Sequence, residues 1–531
     1  MRRGFVNCLL DLWIGEHQFV SRWAVGRQRE KVRRKNPLEI IHTAIYQLTL
    51  STRARNLRWT KRAPVPHDRV CCHGMKVTFQ GAAGGVTGSA HELEVDGKNY
   101  LLDCGMFQGR RKEAEKRNRD FPFAVSSIDA VVLSHAHIDH SGRLPLLVKG
   151  GFGGPIYATP ATADLCASML RDTAHIAESD AEFVNRHHPD EEPVEPLFSM
   201  EDADSTLPLF RPVPYHQTTQ IGGNLQIEFF DAGHILGSAS VLLTDGKVRL
   251  AFSGDVGRPG LPIIRDPEPL PPVDYLIMES TYGGRTHPQP GEALGKLEDV
   301  VKATIGRGGR LIVPAFAVGR TQQLVLLLHQ LFNEGRIPSV PIFVDSPLAV
   351  NVTEAFRAHP ECFSDETRKY LENGEDPFGF KRLTYVRDVA DSKKLNDLRG
   401  PFIVISPSGM CEAGRVLHHL RHNISDPRST VLLTGYQAEN TLGRKLKEGV
   451  KSVRIFGIPT EVRAEVDCLD ELSGHADSGE LLEWMKPMTP TLKRVFLVHG
   501  EPEQAQALAE AIRKTYGIEA EPAALGKIYQ L

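Results

Sequence analysis

Cysteine is scarce: eight in 531 residues, scattered apart from Cys71-Cys72, with no Cys-x-x-Cys pair. That spacing argues against both a disulfide framework and a cysteine-ligated zinc site. Long apolar runs are missing too. None approaches the roughly 20 residues that span a bilayer, and Leu38–Leu50 is interrupted by His42, Thr43 and Gln47. Nor is there a strong overall charge, the net being -3. A hydrophobic content of 41% and a charged content of 24% are those of an ordinary globular protein. The expectation is a soluble cytoplasmic chain without a membrane partner, long enough for two or three domains.

The small net charge hides an asymmetry. Residues 1–74 carry 15 Lys and Arg against five Asp and Glu, which leaves the rest of the chain at about -13. A basic leader suits a nucleic-acid-binding arm or an Arg-rich targeting segment. Its lack of periodicity, beside the well-patterned strand beginning at Met75, favours a third reading: an extension outside the fold.

Histidine, in contrast, is concentrated. Ser134-His135-Ala136-His137-Ile138-Asp139-His140-Ser141-Gly142 follows directly on the apolar run Ala130-Val131-Val132-Leu133. The run reads as a buried strand, so the His-x-His-x-Asp-His cluster falls on the loop at its end, where side chains can converge on a point. Neutral imidazole and carboxylate suit zinc, and two ions need about this many ligands. With 21 histidines in the chain a chance cluster is the alternative. It does not account for His234, Asp255 and His499, each of which follows an apolar strand in the same way.

From Met75 the pattern is β-rich. Strands are predicted at Val77–Phe79, Ser89–Glu94 and Asn99–Asp103, separated by Gly-rich turns and by Asp96-Gly97, a hairpin signal. Others follow at Ile128–Leu133, Pro155–Ala158, Leu225–Phe230 and Val248–Phe252, and Asp274–Glu279 ends on a carboxylate. Asp103, the histidine loop, His234 and Asp255 stand at strand ends, and one rim of a sheet layer is the simplest way to gather them. From about residue 285 helices (Leu294–Ile305, Gln322–Phe332) alternate with parallel-type strands (Arg310–Phe316, Ile342–Val344, Phe402–Ile405, Thr430–Leu433). That rhythm implies a second, doubly wound domain. Ser408-Gly409-Met410 and Gly435-Tyr436-Gln437 at its strand ends suit close backbone approach. After about residue 458 the β-rich texture returns, with a strand at Glu461–Val466, His475 in a loop, and a strand ending at His499. The expected organisation is an extension over 1–74, a β-rich domain over 75–284, an insert over 285–457, and completion of the first domain over 458–531.

These motifs, in this order, resemble the metallo-β-lactamase superfamily. Glu279, Ser473-Gly474-His475-Ala476-Asp477 and Leu497-Val498-His499-Gly500-Glu501 match the A, B and C motifs of its β-CASP branch, nucleases that process RNA or DNA. The resemblance covers about residues 75–531. It implies an α/β fold class: a four-layer αββα sandwich with an inserted doubly wound α/β domain. It also implies a ligand set, with His135, His137 and His234 on one zinc, Asp139, His140 and His499 on the second, and Asp255 bridging. Asp103 would orient a ligand from behind. Two Zn2+ per chain are expected, with Mn2+ as an alternative occupant.

In this branch a histidine at the third motif, here His499, accompanies RNA enzymes, whereas DNA-repair members tend to an aliphatic residue. Ser408-Gly409-Met410 followed by Tyr436-Gln437 also resembles bacterial and archaeal RNA-processing members and the eukaryotic pre-mRNA 3′-end endonuclease. The expected enzyme is a metal-dependent ribonuclease acting on single-stranded RNA, endo- or 5′→3′ exonucleolytic, with a homo-oligomer or an RNA-processing complex left open. The resemblance implies Asp139, Glu279 and His475 as catalytic residues. On that resemblance two bound zinc ions would hold the hydroxide that attacks phosphorus, and His475, supported by Glu279, would protonate the leaving 3′-oxygen. Arg320, beside Phe316 at a strand-to-helix junction, and Ser408, Gly409 and Arg444 are candidate RNA contacts, with Arg415 beside them. For the arginines an interdomain salt bridge is the alternative. His418, His419 and His422 share a predicted helix and are assigned to surface or packing, and His187-His188 to a solvated loop. Two rival functions stand against this reading. A compact small-molecule hydrolase on the same core would lack the insert with Glu279 and His475, and a non-catalytic RNA-processing subunit would have lost ligands.

Overall fold

Local signals decide the strands. Asp96 and Gly97 both take positive φ, 50° and 77°, as a two-residue hairpin turn requires, and they join His91–Val95 to Lys98–Leu102. Burial alternates along Lys76–Phe79 and Leu225–Asp231, the period of a strand with one face on a core. In this computed structural model the described residues are 74–531, less Arg110, 188–191, Tyr436 and Glu439. The basic leader, His188 and Tyr436 lie outside them.

Two seven-stranded sheets face each other. The first runs, in spatial order, Ile528–Gln530, Lys76–Phe79, His91–Val95, Lys98–Leu102, Ile128–Val132, Ile156–Ala158, Phe210–Pro212. The second runs Glu519–Pro522, Arg494–Val498, Tyr275–Glu279, Arg249–Phe252, Ala239–Thr244, Leu225–Asp231, Thr219–Gly222. Phe79, Leu102 and Val132 from one sheet meet Phe229, Phe252 and Phe496 from the other in a shared core. On the second sheet's outer face Leu276, Met278, Val495 and Leu497 pack under helices Ser478–Met485 and Pro502–Tyr516. On the first sheet's outer face Leu101, Val131 and Ile156 meet helices Leu144–Lys149 and Pro160–His187. The layering is therefore αββα. Complete burial of a side chain such as Leu276 contributes about 2 kcal/mol, and strand alternation delivers such side chains to two cores at once.

The third sheet is wholly parallel, in the order Leu383–Val386, Ile342–Asp345, Ile403–Ser406, Leu311–Pro314, Thr430–Leu433, Glu465–Cys468. Its three middle strands after Ile342–Asp345 are buried at each position, as strands covered by helices on both faces must be. Its core is continuous with that of the sandwich through Ile235, Leu236, Ile263 and Ile264.

Two expectations need correction. Glu461–Val466 is not one strand. Ile458–Glu461 forms a hairpin with Ser452–Ile455, and Glu465–Cys468 lies at the edge of the inserted sheet, which therefore runs past residue 457 to Cys468. An alternating run suits any half-buried strand, and only the hydrogen-bonded neighbour decides which sheet it joins. His187 does not lie in a loop but ends the 28-residue helix Pro160–His187, where it rests on Phe183. Among the described residues no helix is long and apolar enough to cross a membrane.

Arg258 ties the segment around His475 to the sandwich. Its side chain is fully buried; Nε donates to both Glu480 oxygens at 3.1 and 3.0 Å, Nη1 to the Glu471 carbonyl and Nη2 to the Pro288 carbonyl. Arg258→Ala should destabilise the fold by about 3 kcal/mol, because it leaves the buried Glu471 carbonyl and the Glu480 carboxylate without their donor. The measurement is the denaturant midpoint, and a change below about 0.5 kcal/mol would show the network to be dispensable.

Candidate metal centre and active site

The parallel pairing of Arg249–Phe252, Tyr275–Glu279 and Arg494–Val498 brings their C-terminal ends to one rim. Asp255, Glu279 and His499 stand there. Leu225–Asp231 points the same way and leads to His234. Lys98–Leu102 and Ile128–Val132, also parallel, end on Asp103 and the histidine loop. Asp103 and His499 both have positive φ, 61° and 48°, where the chain turns out of its strand.

The donors converge. His137 Nδ1 lies 3.1 Å from His135 Nε2 and 3.2 Å from His234 Nε2. Asp255 Oδ2 lies 3.5, 3.6 and 3.3 Å from Nε2 of His135, His234 and His140. Asp139 Oδ2 is 3.4 Å from His499 Nε2, and Asp255 Oδ1 is 3.5 Å from His499 Nδ1. His135, His137, His234 and Asp255 form one group of convergent donors, and Asp139, His140 and His499 a second.

Four of the imidazoles are anchored from behind. Ser134 Oγ donates to Asp103, so His135 Nδ1 donates to Ser134. His140 Nδ1 donates to Asp103 at 2.7 Å, and His234 Nδ1 to the Gly474 carbonyl at 2.8 Å. Thr281 Oγ donates to Glu279, so His499 Nδ1 donates to Thr281. With a cation bound, each anchor fixes the tautomer that leaves Nε2 with a lone pair facing inward; without one, and against burial, Asp255 and Asp103 push the His140 pKa well above its ordinary value.

This arrangement fits a metal better than it fits itself. One ring nitrogen about 3 Å from two others cannot satisfy both with a single proton, whereas ligands at about 2.0–2.1 Å around a tetrahedral ion stand about 3.3 Å apart. His140 Nε2 and Asp255 Oδ1 are buried without a hydrogen-bond partner, a cost that a cation would remove. Burial lowers the pKa of His137 to about 4 and pushes His135 and His234 well below the ordinary value, so all three are in the neutral, ligating form. Burial opposes ionisation of Asp139, but the His499 hydrogen bond and neighbouring imidazoles bring it down to about 2. Asp255 is held well below the carboxylate range by His140, His499 and His135, again against burial.

Beside these groups sits His475, its Nδ1 3.1 and 3.2 Å from the Glu279 oxygens and 3.9 Å from Asp255. Burial would lower its pKa, but Glu279, by charge and hydrogen bond, with Asp255 and Asp139 behind it, raises it to about 9. Glu279 is itself held by the Val256 N–H at 2.6 Å and by Thr281. The His475 side chain keeps 22% exposure while Glu279 has none, so the imidazole is the member that substrate can reach. Thr281, Ser134 and the Gly474 carbonyl escape sequence reasoning. Thr281, two residues past a strand-end carboxylate, was the one with a visible signal.

The other candidates, Arg320 apart, disperse. Arg320 is buried at the start of the helix Arg320–Asn333. Gly409 packs under the Phe316 ring and its carbonyl accepts from Gln437; the Ser408 hydroxyl accepts from Glu412 N–H. Arg444 pairs with Glu448 on its own helix. Arg415 pairs with buried Asp345, an ion pair within the insert and not between domains. His419 shares Asp345, His418 packs on Phe456, and His422 bonds the His418 carbonyl. Surface or packing describes all three.

Family models match along the chain in sequence: metallo-β-lactamase superfamily over 83–302, β-CASP domain over 321–446, and Zn-dependent metallo-hydrolase RNA specificity domain over 459–521. A ribonuclease of Thermus thermophilus is 38% identical over 439 residues, 82% of this chain and 96% of that protein. The chain belongs to the β-CASP branch of the metallo-β-lactamase superfamily. This β-CASP protein is therefore a metal-dependent hydrolase. It is also 32% identical to an RNase J-like protein of Methanocaldococcus jannaschii, over 83% of this chain and 96% of that one. With the transcription termination factor FttA of Methanosarcina mazei it shares 33% identity over 84% and 70%. A solved structure of a protein of unknown function from Enterococcus faecalis aligns with TM-score 0.50 at 13% identity, over 86% of this chain and all of that one, a likeness of fold alone.

Proposed function

We propose that this protein is a dizinc ribonuclease that hydrolyses phosphodiester bonds of single-stranded RNA in RNA processing or degradation. The observation that carries the reading is the His475–Glu279 pair standing against Asp255, at the point where the two donor groups meet. The RNA specificity model over 459–521 and the ribonuclease relatives favour RNA as the polymer.

His135, His137 and His234 would hold one ion, Asp139, His140 and His499 the other, and Asp255 both. Zinc bound there supplies charge neutralisation at the phosphate and acidifies water enough to give a nucleophile near neutral pH. The remaining work falls to the chain itself. Asp103, Ser134, the Gly474 carbonyl and Thr281 fix the imidazoles. Glu279 holds the proton on His475 and orients the ring through Nδ1. His475 Nε2 then delivers a proton to the leaving 3′-oxygen, giving a 3′-hydroxyl and a 5′-phosphate.

The test is incubation of the full chain with 5′- and 3′-labelled single-stranded RNA, and with DNA of the same sequence, with and without chelator. RNA should be cut, DNA at least about tenfold more slowly, and chelator should stop both. Equal turnover of DNA would overturn the RNA assignment, and cleavage undiminished by chelator would overturn the metal. The label released first separates internal cutting from 5′-end digestion.

A further inference from the structure

Arg320 has lost water and gained almost nothing in exchange. It opens its helix from Gly319, whose φ of +75° turns the chain out of the strand Leu311–Pro314. That turn rests on the loop of His234: a Cβ on Gly319 would lie 3.4 Å from Ile235 Cγ2. Arg320 is 8% exposed. A Cβ on Gly474 would stand 3.3 Å from His234 Cε1 and 3.9 Å from Arg320 Nη2, so the guanidinium and the His234 ring flank the residue that precedes His475. Its Nη1 donates to Gln323 Oε1 at 2.7 Å. Nε has no partner, and no carboxylate among the described residues comes within ion-pair distance.

A buried cation without a counter-ion is destabilising. Burial pulls the Arg320 pKa down to about 10, only partly opposed by Tyr282. Of the other buried arginines, Arg258 has Glu480, and Arg143, also without a carboxylate, lies over the Phe107 and Phe121 rings and donates to the Gly105 and Arg117 carbonyls. What Arg320 lacks is an anion, and a guanidinium matches phosphate oxygens with a fork of donors. Phe316, four residues earlier and 39% exposed, adds an aromatic face at the same corner, against Gly409; such faces accept stacked bases.

We propose that Arg320 binds the RNA phosphate adjoining the scissile one, so that the inserted domain contributes a substrate contact at the metal rim. This deepens the ribonuclease reading and rests on it. The test compares the full chain with Arg320→Met and Arg320→Lys on RNA of one sequence. The RNA is unmodified or carries a single neutral methylphosphonate on either side of the cleaved bond. On unmodified RNA Arg320→Met should raise KM by about 10- to 100-fold, with kcat changed less, and should lower the salt slope of binding by about one. Its Tm should hold or rise, since an uncompensated charge has gone, and Arg320→Lys should recover part of the affinity. Methylphosphonate at the contacted position should weaken wild type by a similar factor and weaken Arg320→Met no further, the mark of direct contact. If the two losses multiply at both positions, or if Arg320→Met lowers Tm while KM stands, Arg320 is structural and the proposal falls. Failure of wild type to cut any RNA would instead overturn the ribonuclease reading, and this contact with it.

Discussion

His475→Ala should slow RNA cleavage by about 10²–10⁴-fold, the range of a positioned general acid, while metal content stays at the wild-type level. Its Nδ1 is committed to Glu279, and no donor of the two imidazole-rich groups depends on it. A 3′-phosphorothiolate linkage supplies the sharper readout, because a thiolate leaves without a proton. Wild type and His475→Ala should cut that linkage at similar rates. If His475→Ala cuts ordinary RNA like wild type, the proton donor is misassigned. If it loses metal instead, His475 is a ligand, as its grouping with Asp255 and Glu279 also permits.

Asp255→Ala should lower bound metal from two ions per chain to below one and abolish measurable cleavage. Its carboxylate faces both groups. Oδ2 meets His135, His140 and His234, and Oδ1 meets His499. Removing it withdraws the shared negative charge from a site otherwise built mainly of neutral imidazoles, and metal affinity follows ligand charge and number. Elemental analysis of the purified variant, beside a far-ultraviolet spectrum to show that the fold persists, decides the matter. Two retained ions would place the bridge elsewhere.

The site was legible wherever one short segment carried the signal. His135, His137, Asp139 and His140 announce themselves by crowding behind an apolar strand, and His234, Asp255, Glu279 and His499 by repeating that placement. Roles that depend on a partner far along the chain were not legible. The Gly474 carbonyl that orients His234 is 240 residues away from it, and Thr281 reaches His499 across 218. Arg415 could be read as an RNA contact or an interdomain salt bridge until Asp345, on a strand inside the insert, proved to be its partner. Glu461–Val466 misled for the same reason, since alternation records a face and not a neighbour.

By itself the sequence determined which residues could bind a metal, that they stand at strand ends, and that a parallel α/β unit interrupts the sandwich. Hydrophobic period and residue chemistry are local properties, readable over a few positions. Only the tertiary structure decided which strand ends share a rim, which nitrogen of each histidine faces inward, and that Arg320 is buried beside that rim without an anion. Those outcomes depend on sheet order and on contacts across hundreds of residues, which no local pattern encodes.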